Sequence, residues 1–203
     1  MNIFDSHCHL NDRAYRSDRN AVIDRARQAG VTAMMIVGIT EKTSSLAVNI
    51  AAAHAGCYAS VGIHPHDAQE CSEAALDRLQ QLAANPHVKA WGETGLDFNR
   101  MHSPQADQEK WFARQLEIGG ALGLPLIFHE RDSEGRFFEI VKAHAADGQK
   151  GVLHCFSGTH WELERYLEMG FYIGITGIVT IKSRGRSLRD MAATIPADRL
   201  VVE

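Results

Sequence analysis

The sequence predicts an α/β fold, a (β/α)8 TIM barrel lacking its C-terminal segment. Three observations predict it. Short apolar runs alternate with longer stretches of helical period from one end of the 203 residues to the other. The short runs are continuously apolar, as in a parallel sheet buried on both faces. The count is eight strands and seven helices, one helix short of a full barrel. An open doubly wound sheet is the alternative topology.

The elements follow in order. Residues 3–5 form a short strand. Residues 18–28 form a helix, with Val22, Ile23 and Ala26 apolar and Gly30 as a stop. Residues 33–37 are a wholly apolar strand and 43–54 an Ala-rich helix. A strand over 58–63 leads to a helix over 72–84, which Ser72 caps and Pro86 follows. Then come strand 88–92, the long helix 104–122, strand 126–128 and helix 133–145. Strand 151–154, helix 160–169, strand 171–175, helix 188–193 and strand 200–202 complete the alternation. No linker, repeat or low-complexity segment divides the chain, so residues 1–203 read as one domain, incomplete at its C-terminus.

Composition bounds the function. The chain is 45% hydrophobic and 23% charged, ordinary for a globular protein with one sizeable core. Its formal net charge of −4 gives no global basic field for nucleic acid, so any phosphate ligand depends on local cations. Cys8, Cys57, Cys71 and Cys155 form no C-x-x-C pair and read as reduced thiols of a cytoplasmic protein. The first residues lack a basic, apolar leader. No segment approaches the roughly 20 apolar residues that span a bilayer.

In a barrel of this kind, chemistry sits at the C-terminal ends of the strands. The polar candidates fall there. His7 and His9 follow strand one, His64 and His66 strand three, and Glu93 strand four; His129 ends strand five and His154 strand six. His7 and His9 are two residues apart and point the same way from an extended strand, so both imidazoles reach one cation. Glu93 has two oxygens and can bridge two cations; Gly92 and Gly95 permit a tight turn around it. His129 or His154 alone would read as a buried histidine with a satisfied hydrogen bond; beside Glu93, His7 and His9 both read as ligands. His64 and His66 read as substrate contacts or proton donors. Arg131, two residues past His129, suits a phosphate clamp, against the plain reading of a solvated arginine. Ser157 and Gly158 offer a hydroxyl and backbone N–H groups at a helix start. Arg100, Arg184 and Arg186 are weaker candidates in loops. Asp97 reads as a turn residue or as a group behind the ligands, with the structural role preferred. His54, His87, His102, His144 and His160 read as surface residues.

Six motifs run in order through the chain: Asp5-Ser6-His7-Cys8-His9-Leu10, Gly62-Ile63-His64-Pro65-His66, Gly92-Glu93-Thr94-Gly95-Leu96-Asp97, Phe128-His129-Glu130-Arg131-Asp132, His154-Cys155-Phe156-Ser157-Gly158 and Tyr172-Ile173-Gly174-Ile175-Thr176-Gly177. Together they resemble the TatD family of metal-dependent deoxyribonucleases, within the amidohydrolase-like metallohydrolases. The resemblance implies a distorted TIM barrel holding two divalent ions (Mg, Mn or Zn), with His7, His9, Glu93, His129 and His154 as ligands and Glu93 as a catalytic residue. It implies hydrolysis of DNA phosphodiester bonds by attack of a metal-bound water, typically from a 3′ end, on single strands or 3′ ends. No membrane and no obligate protein partner is implied. In the family, strand eight leads into a Thr-Asp-Ala-Pro segment whose Asp is a ligand and general base. This sequence stops at Glu203, so a truncated chain with weak metal binding and poor activity is expected. Two other functions are open: an amidohydrolase or esterase acting on a small carbonyl substrate, and a non-catalytic binding protein.

Overall fold

A computed structural model describes residues 2–183 and 185–203. The candidate Arg184 lies outside the described residues. Eight strands run β1 Ile3–Cys8, β2 Val31–Ile36, β3 Cys57–Val61, β4 Val88–Asp97, β5 Leu126–Arg131, β6 Gly151–His154, β7 Tyr172–Ile175 and β8 Leu200–Val202. Each pairs in parallel with the next, in the order β1 to β8. A doubly wound sheet would reverse direction at a switch point; this order does not. The sheet curls into a nearly closed barrel, so that Phe4 of β1, Val152 of β6 and Val201 of β8 line one cavity.

Seven helices intervene: α1 Arg19–Gln28, α2 Glu41–Ala53, α3 Glu73–Ala83, α4 Gln105–Ala121, α5 Arg136–His144, α6 His160–Glu168 and α7 Arg186–Ala192. Their starts follow local chemistry. Thr40 and Thr43 form a capping box on α2, Ser72 accepts from the Ala75 N–H at the start of α3, and Thr159 and Glu162 cap α6 reciprocally.

Side-chain alternation along β5 divides the interior. Leu126 and Phe128 face the helices, where Phe128 meets the ring of Phe137 at 5.3 Å and that of Phe171 at 5.1 Å. Ile127 faces the barrel axis with Met35, Val37 and Ala90. Each fully buried Phe or Ile contributes on the order of 2 kcal/mol. The next inward position on β5 is His129. The mouth therefore begins where the apolar axis cluster ends.

Three strands run further than their apolar runs. β1 continues through Cys8, β4 through Asp97 and β5 through Arg131. His7, Glu93 and His129 thus lie within strands rather than after them. The ladder is made by backbone groups, and polar side chains do not end it when they point into a solvated mouth. The sequence reading also missed three 3-10 turns, at Arg13–Tyr15, Pro65–Glu70 and Gly177–Thr180.

Candidate metal centre

Glu93 occupies the middle of the mouth because β4 is irregular there. Gly92 pairs with Ile127 and Thr94 with Phe128, so Glu93 has no partner on β5. An extra residue of this kind bends the strand and re-aims its side chain. Gly92 and Gly95 have φ of 130° and 149°, and a Cβ would lie 2.4 Å from the Ile127 carbonyl and 1.8 Å from that of His129. These glycines allow close approach to β5 within a strand, and the tight turn expected from them is not formed.

Around Glu93, which is 3% exposed, histidines converge. His129 Nδ1 is 3.0 Å from Oε1, and His7 Nε2 is 3.5 Å from Oε2. His7 and His9 bring their Nε2 atoms to 3.2 Å of each other. One ligand atom from each of His7, His9 and Glu93 falls within 4.8 Å of the others, as does one from each of His64, Glu93 and His129. His154 sits beside His129 in the β5–β6 register and stacks on His7, ring centroids 3.4 Å apart. It lines the same 280 Å³ cavity as His9, His64, His66, Glu93 and His129.

Asp97 is buried at the end of β4, 1% exposed. Its Oδ1 accepts from the N–H groups of Asn99 (3.0 Å) and Arg100 (2.9 Å), which is the expected turn role. Its Oδ2 lies 2.8 Å from His66 Nε2 and 3.1 Å from His129 Nε2, the alternative place behind the histidines that the sequence also allowed, so Asp97 fills both positions at once.

Glu203 was noted in the sequence only as the last residue. Its carboxylate accepts from His154 Nδ1 and from the Cys155 N–H at 3.3 Å. Asp67 lines the mouth as well. His102, read as a surface residue, packs edge-on to His66 at 4.5 Å between centroids. No periodic signal marks these three, since each arrives by a loop or from a distant strand.

Charge at the mouth is tightly held. Burial alone would raise the Glu93 carboxyl, but hydrogen bonds from His129 and His7 outweigh it and keep the group well below the usual carboxylate range. Asp97 is lowered in the same way by His129, the Arg100 N–H and His66, against the opposing effect of burial. Burial would lower His129, yet Asp97 and Glu93 together raise it to about 9. Burial pushes His64 down to about 3, so it is neutral in ordinary buffers. Its Nδ1 accepts from the His66 N–H at 3.1 Å, which puts the ring proton on Nε2. His64 therefore presents a donor to the mouth and not a free lone pair, consistent with its reading as a substrate contact.

The other predicted contacts stand apart. Arg131 is the last residue of β5; its side chain makes no ion pair or hydrogen bond among the described residues and does not line the mouth cavity. Ser157 lines a neighbouring 330 Å³ cleft with Glu130, Asp132, Glu134 and Glu162. The α6 N-terminus beside it is already capped by Thr159 and Glu162, and these carboxylates oppose an anion there.

The donor set fits divalent cations. A buried carboxylate needs a positive partner, and among the described residues no Lys or Arg pairs with Glu93. His7 Nδ1 is buried without a hydrogen-bond partner, while its Nε2 faces His9 and Glu93. Imidazole nitrogens converging on a carboxylate in this way are a donor set that could hold divalent metal ions.

A profile of the TatD related DNase family matches residues 4–203. The 3′-5′ ssDNA/RNA exonuclease TatD of Musicola paradisiaca is 42% identical over 202 residues, which cover 99% of this chain and 76% of that protein. That of Cronobacter turicensis is 41% identical over 201 residues, again covering 99% and 76%. The crystal structure of a TatD homologue from Escherichia coli K12 superposes with a TM-score of 0.88 at 29% identity, over 98% of this chain and 76% of that one.

Proposed function

Because the chain belongs to the TatD related DNase family, a family of hydrolases with nuclease activity, we propose that it removes nucleotides from the 3′ end of single-stranded DNA by hydrolysing phosphodiester bonds. His7, His9, Glu93, His129 and His154 would hold two divalent ions. The observation that carries this reading is the placement of Glu93, whose Oε2 faces His7 and whose Oε1 faces His129. Divalent cations bound there supply charge neutralisation at phosphate oxygens and acidify water.

The chain's own groups bind and orient the substrate. His64 donates from Nε2 to a phosphate oxygen, and its low affinity for protons keeps it a neutral donor. His66 is held through Nε2 by Asp97, and Arg131, the last residue of β5, is the guanidinium assigned to a substrate phosphate outside the histidine cavity. Ser157 stands one cleft away and is assigned to a nucleotide further along the bound strand. The acidic surroundings of that cleft favour bases over phosphates, because carboxylates accept from base amino groups.

The test uses single-stranded DNA labelled at either end, with Mg²⁺, Mn²⁺ or Zn²⁺, beside a panel of ester and amide substrates. Stepwise shortening from the 3′ end is expected, lost on chelation. Turnover of carbonyl substrates alone would overturn the nuclease reading.

A further inference from the structure

We propose that Trp161 is a stacking platform for a nucleobase of the bound single strand, on the 5′ side of the bond at the mouth, with the Glu134 carboxylate as acceptor for the amino group of that base. The inference deepens the proposed function and rests on it: a strand shortened from its 3′ end leaves the mouth in the 5′ direction.

Trp161 stands on the face that carries the mouth. Helices α5 and α6 follow β5 and β6, whose ends hold the register partners His129 and His154. The first turns of the two helices therefore flank one groove leading outward from those histidines. Phe138 is the third residue of α5 and Trp161 the second of α6. Their rings meet edge to face, 5.7 Å apart between centroids. A Cβ at Gly135 would lie 3.6 Å from Trp161 Cζ3, so the six-membered ring lies alongside that bare backbone. The indole is thus seated against α5 and still 49% exposed, whereas Trp91 and Trp111 are 0% and 7% exposed. A 420 Å³ cleft opens over it, walled by Glu134 and Phe138. Glu134 also lines the cleft of Ser157, together with Glu130, the residue next to His129. The groove is continuous from the strand ends to the indole.

The chemistry of the cleft selects what can lie there. Every base has a face that stacks on an indole. Two nearby carboxylates are already engaged: Glu162 accepts from the Thr159 N–H and hydroxyl, and Glu139 pairs with Arg136. Glu134 is exposed and has no ion pair or hydrogen bond among the described residues. An unengaged carboxylate repels phosphate and accepts from an amino group, as Glu and Asp do from cytosine N4. Thymine presents a carbonyl oxygen at that place. A single exposed tryptophan is ordinary on a protein surface. This one has a seat, a cleft and a groove that leads to the mouth.

The test follows tryptophan fluorescence while phosphorothioate oligonucleotides, which resist cleavage, are titrated into the chain with Mn²⁺ present. Trp161 is the exposed indole, so a bound hexamer should quench its emission. Trp161→Phe should abolish the quenching and keep most of the affinity. Trp161→Ala should weaken hexamer binding about 5–150-fold, the worth of one stacked base, with melting unchanged. A dinucleotide, which ends at the mouth, should bind the variant and the unaltered chain alike. A deoxycytidine hexamer should bind more tightly than a deoxythymidine hexamer, and Glu134→Gln should narrow that difference. Equal hexamer affinity in Trp161→Ala and the unaltered chain overturns the proposal. So does a loss that falls equally on the dinucleotide, which marks a distorted mouth. Deoxythymidine bound as tightly as deoxycytidine overturns the role of Glu134. Quenching in the unaltered chain decides the matter if a variant does not fold. If hexamers bind as stated and unmodified strands are not shortened, only the proposed function falls. If strands are shortened and no hexamer quenches the indole, only the platform falls.

Discussion

The two ends of the barrel are built from the same strands and have opposite characters. At the C-terminal mouth, imidazoles share a 280 Å³ cavity with the buried carboxylate of Glu93 and the half-buried one of Asp67, and His7 Nδ1 beside them is buried without a hydrogen-bond partner. At the other end, a 360 Å³ cavity is lined mainly by apolar groups, Phe4, Met35, Ile127, Val152, Tyr172 and Val201 among them. Burying carboxylates and imidazoles opposes folding, whereas the apolar axis cluster favours it. Binding chemistry and stability are therefore assigned to opposite ends of the same strands, and substitutions should separate them.

The largest expected effect is at the mouth. Glu93→Gln should lower hydrolysis by about 10²–10³-fold, the scale seen when one electrostatic contact to the reacting groups is removed. Its metal-free melting temperature should fall only slightly, because His129 loses the Glu93 carboxylate but keeps Asp97 as a partner. A large loss of stability would break the contrast. At the axis, Met35→Ala should cost about 2–4 kcal/mol in denaturant unfolding while zinc affinity stays unchanged.

Metal itself sharpens the comparison. Mn²⁺ at 100 times its dissociation constant should stabilise the unaltered chain by about 2.7 kcal/mol. Met35→Ala should retain that increment and Glu93→Gln should lose most of it. The smallest effect is expected at the lower rim, where Tyr172 is part-exposed and the Arg199 guanidinium lies 5.2 Å from its ring. Tyr172→Leu should change stability by less than about 1 kcal/mol and leave turnover unaltered.

Most of the architecture was legible because apolar periodicity is a local signal. Strands β6 and β8 and the helix starting at Ser72 fall where composition places them. The ends of β1, β4 and β5 did not, because Glu93 and His129 interrupt an apolar run without interrupting the backbone ladder. The placement of His7, His9, Glu93 and His129 at one mouth followed from strand order. Asp97 was half legible: its turn contacts lie two and three residues away, while His66 and His129 lie 31 and 32 residues away.

The sequence by itself determined the order of strands and helices and which polar residues stand at the strand ends, since both follow from near neighbours along the chain. Tertiary structure alone decided that Glu93 is the bulged residue, that Arg131 and Ser157 stand outside the histidine cavity, and that Asp97 and Glu203 back His129 and His154. Those outcomes depend on register and closure between strands. A shift of one residue there re-aims a side chain without leaving a mark in local composition.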